Sequence, residues 1–490
     1  MTVVHKNYIN GEWVESRSVS FLDVVNPSDG TVLSKVPAGS AEDVAHAAEE
    51  ARQAYKSWRE VPATQRIQHL FKMKEILEKN ADEISVICTR ESGKTFAESK
   101  AEIVRAIENI EVACGIPKLL QSEFSEDITM GIDEFVIRQP VGTGACIAPF
   151  NFPVMIAFWF MPYAIACGNT YIVKPSEKVP GTMTRIFELF EELHLPPGVL
   201  NLVHGGKETV DSILNHPSIS AISFVGSTNV AKYIYQTGVA NGKRVQAQGG
   251  AKNPVVVMPD ADPGTTVKII ADSAFGCAGQ RCLAASLAIL VGEAGKTFTE
   301  KIVAAARAKR TGDGLKEGVE MGPVITKESM VRINGLIKSG LDDGATILLD
   351  GRGLKVPGHE NGNFIGPVIL GNVSPESEIY NTEVFGPVLC IINTETLDDA
   401  IELINRSRYG NSACIFTRSG SAARKFRHEV LAGNIGINIG IAAPMAYFPF
   451  SGWKESFFGD LHGQSNHAVE FYTQTKVVIE RWHDEWTRKF

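Results

Sequence analysis

Apolar and polar positions repeat with different periods along the chain, and each period predicts an element. Asn7-Tyr8-Ile9-Asn10-Gly11-Glu12-Trp13-Val14 reads as two short strands about an Asn-Gly pair, which suits a type I′ hairpin. Asn26-Pro27-Ser28-Asp29-Gly30 is a second turn cluster. Ser40-Ala41-Glu42-Asp43 then opens a helix with a cap and an acidic first turn. Helical periodicity dominates up to residue 120. Between Ser99 and Leu120, Ile103, Ile107, Ile110 and Cys114 fall near one face and leave Arg105 and Glu108 off it, so Arg105 reads as a solvated helix charge.

Residues 121–138 turn polar and then strand-like, a pattern suited to an arm leaving the core. From Gly142 the order becomes strand, loop, helix, strand over 145–149, 150–167 and 170–173, with further strands at 200–204 and 221–225. Such alternation implies an α/β fold with a parallel sheet. The apolar run 154–167 is interrupted by Pro162 and falls short of the about 20 residues a bilayer needs, so it reads as a buried helix. A second strand and helix series spans 254–417. Residues 471–480 alternate as a strand, and an unpaired terminal strand is a liability unless another chain receives it, which predicts an oligomer.

Composition narrows the possibilities. A chain of 490 residues has room for several domains and a large core. The net charge of −8, with no basic tract, argues against a nucleic-acid partner. The eight cysteines lack CxxC spacing, so neither a metal site nor a disulfide framework is indicated and a reducing cytoplasm suits them. The N-terminus shows no cationic segment followed by an apolar core, and no membrane association is expected.

The candidate chemistry centres on Ser273-Ala274-Phe275-Gly276-Cys277-Ala278-Gly279-Gln280-Arg281-Cys282-Leu283-Ala284. A cysteine attacks carbonyl carbon as thiolate, and a neighbouring cation lowers its pKa. Arg281 is that cation for Cys282, and Gly276 and Gly279 allow close approach of backbone or ligand. A buried structural thiol is the alternative. Gly226-Ser227-Thr228 lies between a strand and a helix, where free N–H groups and the helix dipole suit a pyrophosphate. An ordinary βα connection is equally compatible, because Gly142-Thr143-Gly144 lacks the third glycine of G-x-G-x-x-G.

Pro149-Phe150-Asn151-Phe152-Pro153, Lys174-Pro175-Ser176-Glu177, Phe224-Val225-Gly226-Ser227-Thr228, Gly279-Gln280-Arg281-Cys282 and Glu383-Val384-Phe385-Gly386-Pro387 resemble, in order and spacing, the motifs of the aldehyde dehydrogenase superfamily. Gly250-Ala251-Lys252-Asn253 and Phe450-Ser451-Gly452-Trp453-Lys454 look like its CoA-acylating methylmalonate-semialdehyde dehydrogenase branch. The resemblance implies a Rossmann-like NAD-binding domain (1–120 and 140–247), a second α/β catalytic domain (248–446) and a small β oligomerisation arm (121–139 and 467–490). It makes Cys282 the nucleophile, with Asn151 and the Cys282 N–H holding the alkoxide. It leaves Cys277 a structural thiol. It places Lys174, Glu177 and Lys178 at the adenosine ribose, Ala148 and Phe150 along the cofactor channel, and Ser227 at the pyrophosphate. Gly249 would lie beside the nicotinamide, with Glu383 and Phe385 at its ribose. A carboxylate at Glu177 would repel a 2′-phosphate, favouring NAD over NADP. A homotetramer built as a dimer of dimers is implied as well.

Gln248 departs from the superfamily pattern. Hydrolytic members carry a glutamate base there, and a neutral amide is a poor base for water, so coenzyme A is the expected acyl acceptor. The alternative is a hydrolytic, non-acylating enzyme with another base. A short semialdehyde with a carboxylate suits a guanidinium fork. Arg281 stands next to the thiol, and the branch brings in Arg105 from its helix. The products would be acetyl-CoA or propionyl-CoA after loss of CO₂. Ser451 and Phe457 stand where many relatives have glycine, which changes the expected tunnel shape.

Overall fold

Residues 2–482 are described by a computed structural model of the chain. Asn10 and Gly11 both take positive φ, 56° and 84°, as a type I′ turn requires, and Asn7–Ile9 pairs antiparallel with Glu12–Val14. This hairpin forms one edge of an eight-stranded sheet. Its order is Phe457–Phe458, Arg244–Gln248, Ile219–Val225, Thr143–Ile147, Thr170–Lys174, Leu200–Leu202, Asn7–Ile9, Glu12–Val14. The strands from Arg244–Gln248 to Leu200–Leu202 run parallel, and the flanking strands join antiparallel.

These central strands are buried along almost their whole length because both sheet faces are covered. Tyr171 and Val173 pack with Leu70, Met73 and Phe187 on one side. Ile172, between them, packs with Val44, Ala47 and Ile234 on the other. The chain moves outward from Thr143–Ile147 to Leu200–Leu202, then returns to Ile219–Val225 on the far side of Thr143–Ile147. That reversal is a topological switch point, and open α/β sheets bind ligands beyond the carboxyl ends of the strands on its two sides.

The second sheet has the order Thr346–Leu349, Val368–Gly371, Val388–Thr394, Ala285–Val291, Asn253–Val257, Ser412–Phe416, Asn434–Ile437, parallel except for its first pair. A separate three-stranded sheet joins Thr473–Glu480, Ile132–Pro140 and Phe124–Thr129.

Several sequence expectations shift at their edges. Helices do run to the neighbourhood of residue 120, the stripe of Ile103, Ile107 and Ile110 lying on Phe96–Cys114; Gly115 ends that helix and Pro117 sits in the first turn of a separate Ile116–Leu119 helix. The apolar run 154–167 divides into Met155–Phe158 and Met161–Cys167, with Pro162 starting the second piece. Phe471 and Tyr472, read as strand, end the helix Ser465–Tyr472 instead. The Tyr472 hydroxyl lies 2.8 Å from that of Tyr171 and 2.6 Å from that of Ser223, so a buried bond to the first sheet overrides the local alternation. The terminal strand, expected to lack a partner within its own chain, in fact pairs along its length with Ile132–Pro140, from Thr473↔Pro140 to Glu480↔Asp133. Part of the expected arm, 483–490, lies outside the described residues. Among the described residues, no helix is long and apolar enough to cross a membrane.

Candidate active site

Between the helix Pro263–Phe275 and the strand Ala285–Val291 the chain makes a tight passage. Cys277 and Ala278 take φ of 51° and 52°, a left-handed pair that contains no glycine. Outside contacts hold it there. The Cys277 N–H donates to Glu98 Oε1 at 2.6 Å, and the Cys282 carbonyl accepts from the side-chain amides of Asn253 and Asn411, both at 2.8 Å. Gly279 (φ 69°) is required, because a Cβ there would stand 2.0 Å from the Gly386 carbonyl oxygen.

The passage delivers Cys282 to the wall of a cavity of ≈ 240 Å³ that Arg105, Arg281, Phe152, Trp159 and Phe450 also line. Cys277, 4% exposed, also borders it. Arg105 is not the solvated charge its helix periodicity suggests. It faces the cavity, and its Nη1 lies 2.7 Å from Glu108 Oε2. Arg281 stands 3.7 Å from Glu98 and donates to the Asp272 carbonyl at 3.2 Å.

Burial pushes the Cys282 thiol up to about 12; Glu383 adds to the rise, while backbone N–H groups and Arg281 oppose it. The neighbouring cation therefore does not by itself make a thiolate, a correction to the sequence expectation. Its charge is shared with Glu98, and desolvation of the sulfur outweighs the rest.

Asn151 spans the two halves of the site. Its Nδ2 donates to the Gln280 carbonyl at 2.9 Å, which leaves one amide N–H uncommitted among the described residues, and its backbone carbonyl accepts from Lys94 Nζ at 2.9 Å. Gln248 is buried and donates to the Phe450 carbonyl at 3.2 Å.

The residues expected at the cofactor gather beyond the carboxyl ends of the first sheet. Ala148, Lys174, Ser227 and Gly249 each end or follow one of its parallel strands. Lys174 is buried and lies 3.1 Å from Glu177 Oε2, so the pair is not the surface ion pair that a loop position alone suggests. Burial acts to raise the Glu177 carboxyl, yet Lys174 and a backbone N–H bring it below the ordinary range. Lys178 Nζ lies 5.3 Å over the Phe150 ring, and Phe150 meets Phe385 edge to face at 5.8 Å. Ser227 caps the helix Thr228–Ala240 by position, with its hydroxyl not spent on the cap. Phe385 has φ of 49°. Glu383 reaches the Gly250 backbone, where an added Cβ would stand 2.7 Å from its Oε2, and burial pushes its carboxyl up to about 7.

Sequence reasoning missed Glu98, Lys94, Glu102 and Gln464. Thr95-x-x-Glu98 is a legible capping signal, and the capping box forms, but nothing local announces that Glu98 also holds Cys277. Gln464 lines the cavity and is buried, and its Nε2 has no partner among the described residues. Among the described residues, no cluster of His, Cys, Asp or Glu could hold a metal ion.

The aldehyde dehydrogenase family profile matches residues 13–478. A malonate-semialdehyde dehydrogenase of Geobacillus kaustophilus is 47% identical over 477 residues, covering 97% of this chain and 98% of that one. A mitochondrial, acylating methylmalonate-semialdehyde dehydrogenase of Arabidopsis thaliana is 46% identical, covering 98% of this chain and 79% of that one. The crystal structure of methylmalonate-semialdehyde dehydrogenase from Oceanimonas doudoroffii superposes with a TM-score of 0.97 at 44% identity, covering 99% of each chain. On a match that spans nearly its whole length, the chain belongs to the aldehyde dehydrogenase family.

Proposed function

We propose that the protein oxidises malonate or methylmalonate semialdehyde with NAD and passes the acyl group to coenzyme A with loss of CO₂. The observation that carries this reading is that Cys282, Arg105 and Arg281 line one cavity. A thiol beside two guanidinium groups suits an aldehyde that bears a carboxylate. The names of the relatives above, one of them acylating, agree with it.

Cys282 loses its thiol proton to solvent and its Sγ adds to the aldehyde carbon, the C–S bond forming as the C=O π bond opens, and the resulting alkoxide is held by the remaining amide N–H of Asn151 and the backbone N–H of Cys282. Bound NAD supplies the hydride acceptor, and an acyl thioester is left on Cys282. Coenzyme A, attacking as a thiolate, needs no general base, whereas water does, and Gln248 is a neutral amide engaged with Phe450. Loss of CO₂ from a malonyl-type thioester leaves an enolate stabilised by the thioester carbonyl, and protonation gives acetyl or propionyl product.

The residues present fit NAD. Lys174 and Glu177 would hold the adenosine ribose with Lys178 beside them, and Glu177 disfavours a 2′-phosphate. Ser227 has an uncommitted hydroxyl at a helix N-terminus for the pyrophosphate. Ala148 and Phe150 would line the channel, Gly249 would face the nicotinamide, and Glu383 and Phe385 its ribose. In this reading 1–120 and 140–247 form the cofactor domain and 248–446 the catalytic domain; 121–139 and 467–490 form the arm of a cytoplasmic homotetramer.

The test mixes enzyme, NAD and methylmalonate semialdehyde and follows NADH with and without coenzyme A. A single burst without it and steady turnover with it is expected. Equal steady rates would favour the hydrolytic alternative, and an undiminished rate in Cys282→Ala would remove the thiol from the reaction.

A further inference from the structure

Behind Asn151 lies an ion pair that the chemistry above does not use. Lys94 and Glu102 are 3% and 2% exposed, and Lys94 Nζ donates to Glu102 Oε2. Each partner also grips the loop that carries Asn151. Lys94 Nζ donates to the Asn151 carbonyl at 2.9 Å and sits 4.7 Å over the Phe152 ring. Glu102 Oε1 accepts the backbone N–H groups of Val154 at 2.7 Å and Met155 at 2.9 Å, where the helix Met155–Phe158 begins. Residues 151, 152, 154 and 155 are thus tied to one buried pair, and the pair itself is set by the helix Phe96–Cys114 and the turn before it.

Stability alone is a weak reason for such a pair, since well-packed apolar residues of similar volume often serve as well. Direction is a better one. The Asn151 amide has to place its remaining N–H at the position of the developing alkoxide, and an error of about 1 Å there costs on the order of 100-fold in rate. The Gln280 carbonyl fixes the side chain from the catalytic half, and Lys94 fixes its backbone from the cofactor half.

We propose that Lys94 and Glu102 are positioning residues of the oxyanion site, holding the 151–155 loop so that Asn151 meets the alkoxide on Cys282. This rests on the reading of Asn151 as oxyanion donor. Its signature is a loss in the acylation rate rather than in aldehyde binding, and a loss that exists only while Asn151 is present.

The experiment measures the NADH burst of the full-length enzyme at saturating NAD and aldehyde, without coenzyme A. Asn151→Ala is expected to slow the burst by about 100-fold. Lys94→Met should slow it about tenfold or more with KM for the aldehyde within about threefold, and Glu102→Gln should fall between parent and Lys94→Met. In the Asn151→Ala background, Lys94→Met should cost less than about twofold more. A parental burst in folded Lys94→Met overturns the proposal, as does an undiminished tenfold loss in the Asn151→Ala background. Should Lys94→Met fail to fold, Lys94→Met/Glu102→Leu leaves no unpaired buried charge and carries the same comparison. An intact burst in Asn151→Ala would instead overturn the oxyanion reading itself.

Discussion

Glu98 and Arg281 face each other 3.7 Å apart on the wall of the Cys282 cavity, and Glu98 Oε1 is closer to the Cys277 N–H, at 2.6 Å, than to the guanidinium. The ion pair is loose and leaves Arg281 able to turn toward a substrate carboxylate, but the Glu98 charge competes for it. Glu98→Gln removes that charge while its amide oxygen can still accept from Cys277. The ratio of kcat/KM for malonate semialdehyde to that for propanal should rise about threefold or more. An unchanged ratio would show that the two carboxylates do not compete.

Arg105 offers the cleaner loss experiment, because Arg281 also supports the passage around Gly276, where a Cβ would stand 1.3 Å from its Nη2. Among the described residues, Arg105 Nη1 engages Glu108 and the sulfur of Met445. Arg105→Leu should lower kcat/KM for carboxylated semialdehydes by about 10- to 100-fold, the worth of a charge-assisted hydrogen bond, and change propanal by less than about threefold. Equal losses on both substrates would remove Arg105 from carboxylate recognition.

The thiols titrate late. With Cys282 held up to about 12 by burial, alkylation of the free enzyme by iodoacetamide should accelerate about tenfold per pH unit from 7 to 10 without a plateau. Glu383→Gln should increase that rate at each pH, because the Glu383 charge adds to the rise. The same burial acts on stability, with Cys88, Cys167 and Cys277 also pushed up to about 12. Unfolded thiols lose their protons near 9, so above that pH the unfolded chain binds fewer protons than the folded one. The stability these thiols carry is complete below pH 9 and falls toward 12. Urea midpoints at pH 8 and 10.5 measure the slope, and a flat profile would contradict it.

Glu177 sets the cofactor preference in the proposed scheme, since its carboxyl is kept ionised by Lys174 at 3.1 Å. Glu177→Ser removes the repulsion against a 2′-phosphate. The NADP/NAD ratio of kcat/KM should rise about tenfold or more. A constant ratio would place the ribose elsewhere.

Local signals were legible where neighbours in sequence decide the outcome. Asn10-Gly11 specifies its own turn, Ser40 caps its helix by accepting from the Glu42 N–H, and Ile103, Ile107 and Ile110 are buried on one face of theirs. The carboxyl-end cluster of Ala148, Lys174, Ser227 and Gly249 follows from strand and helix alternation once the sheet order is known. What stayed hidden depends on contacts distant in sequence. Glu98 meets Cys277 across 179 positions and Asn151 meets Gln280 across 129, and no periodicity encodes either. Burial of the Cys282 sulfur is equally invisible in a string where Arg281 is the nearest charge. Phe471 and Tyr472 alternate like a strand, yet the buried Tyr472 hydroxyl between Tyr171 and Ser223 makes them a helix end.

The arm offers the last test. Thr473–Glu480 uses one edge on Ile132–Pro140, its other edge pairs with no strand among the described residues, and Val477 and Ile479 on it are 60% and 65% exposed. An apolar strand left in this state invites another sheet, and a second copy of the same arm presents the matching surface. Val477→Lys/Ile479→Lys places charges on that surface without touching the pairing inside the chain. Sedimentation at micromolar concentration should show the assembly shifted to a smaller species, while the Cys282 burst is retained in each subunit. An unchanged sedimentation coefficient would move the interface away from this strand, and a parent that sediments as a monomer would remove the assembly altogether.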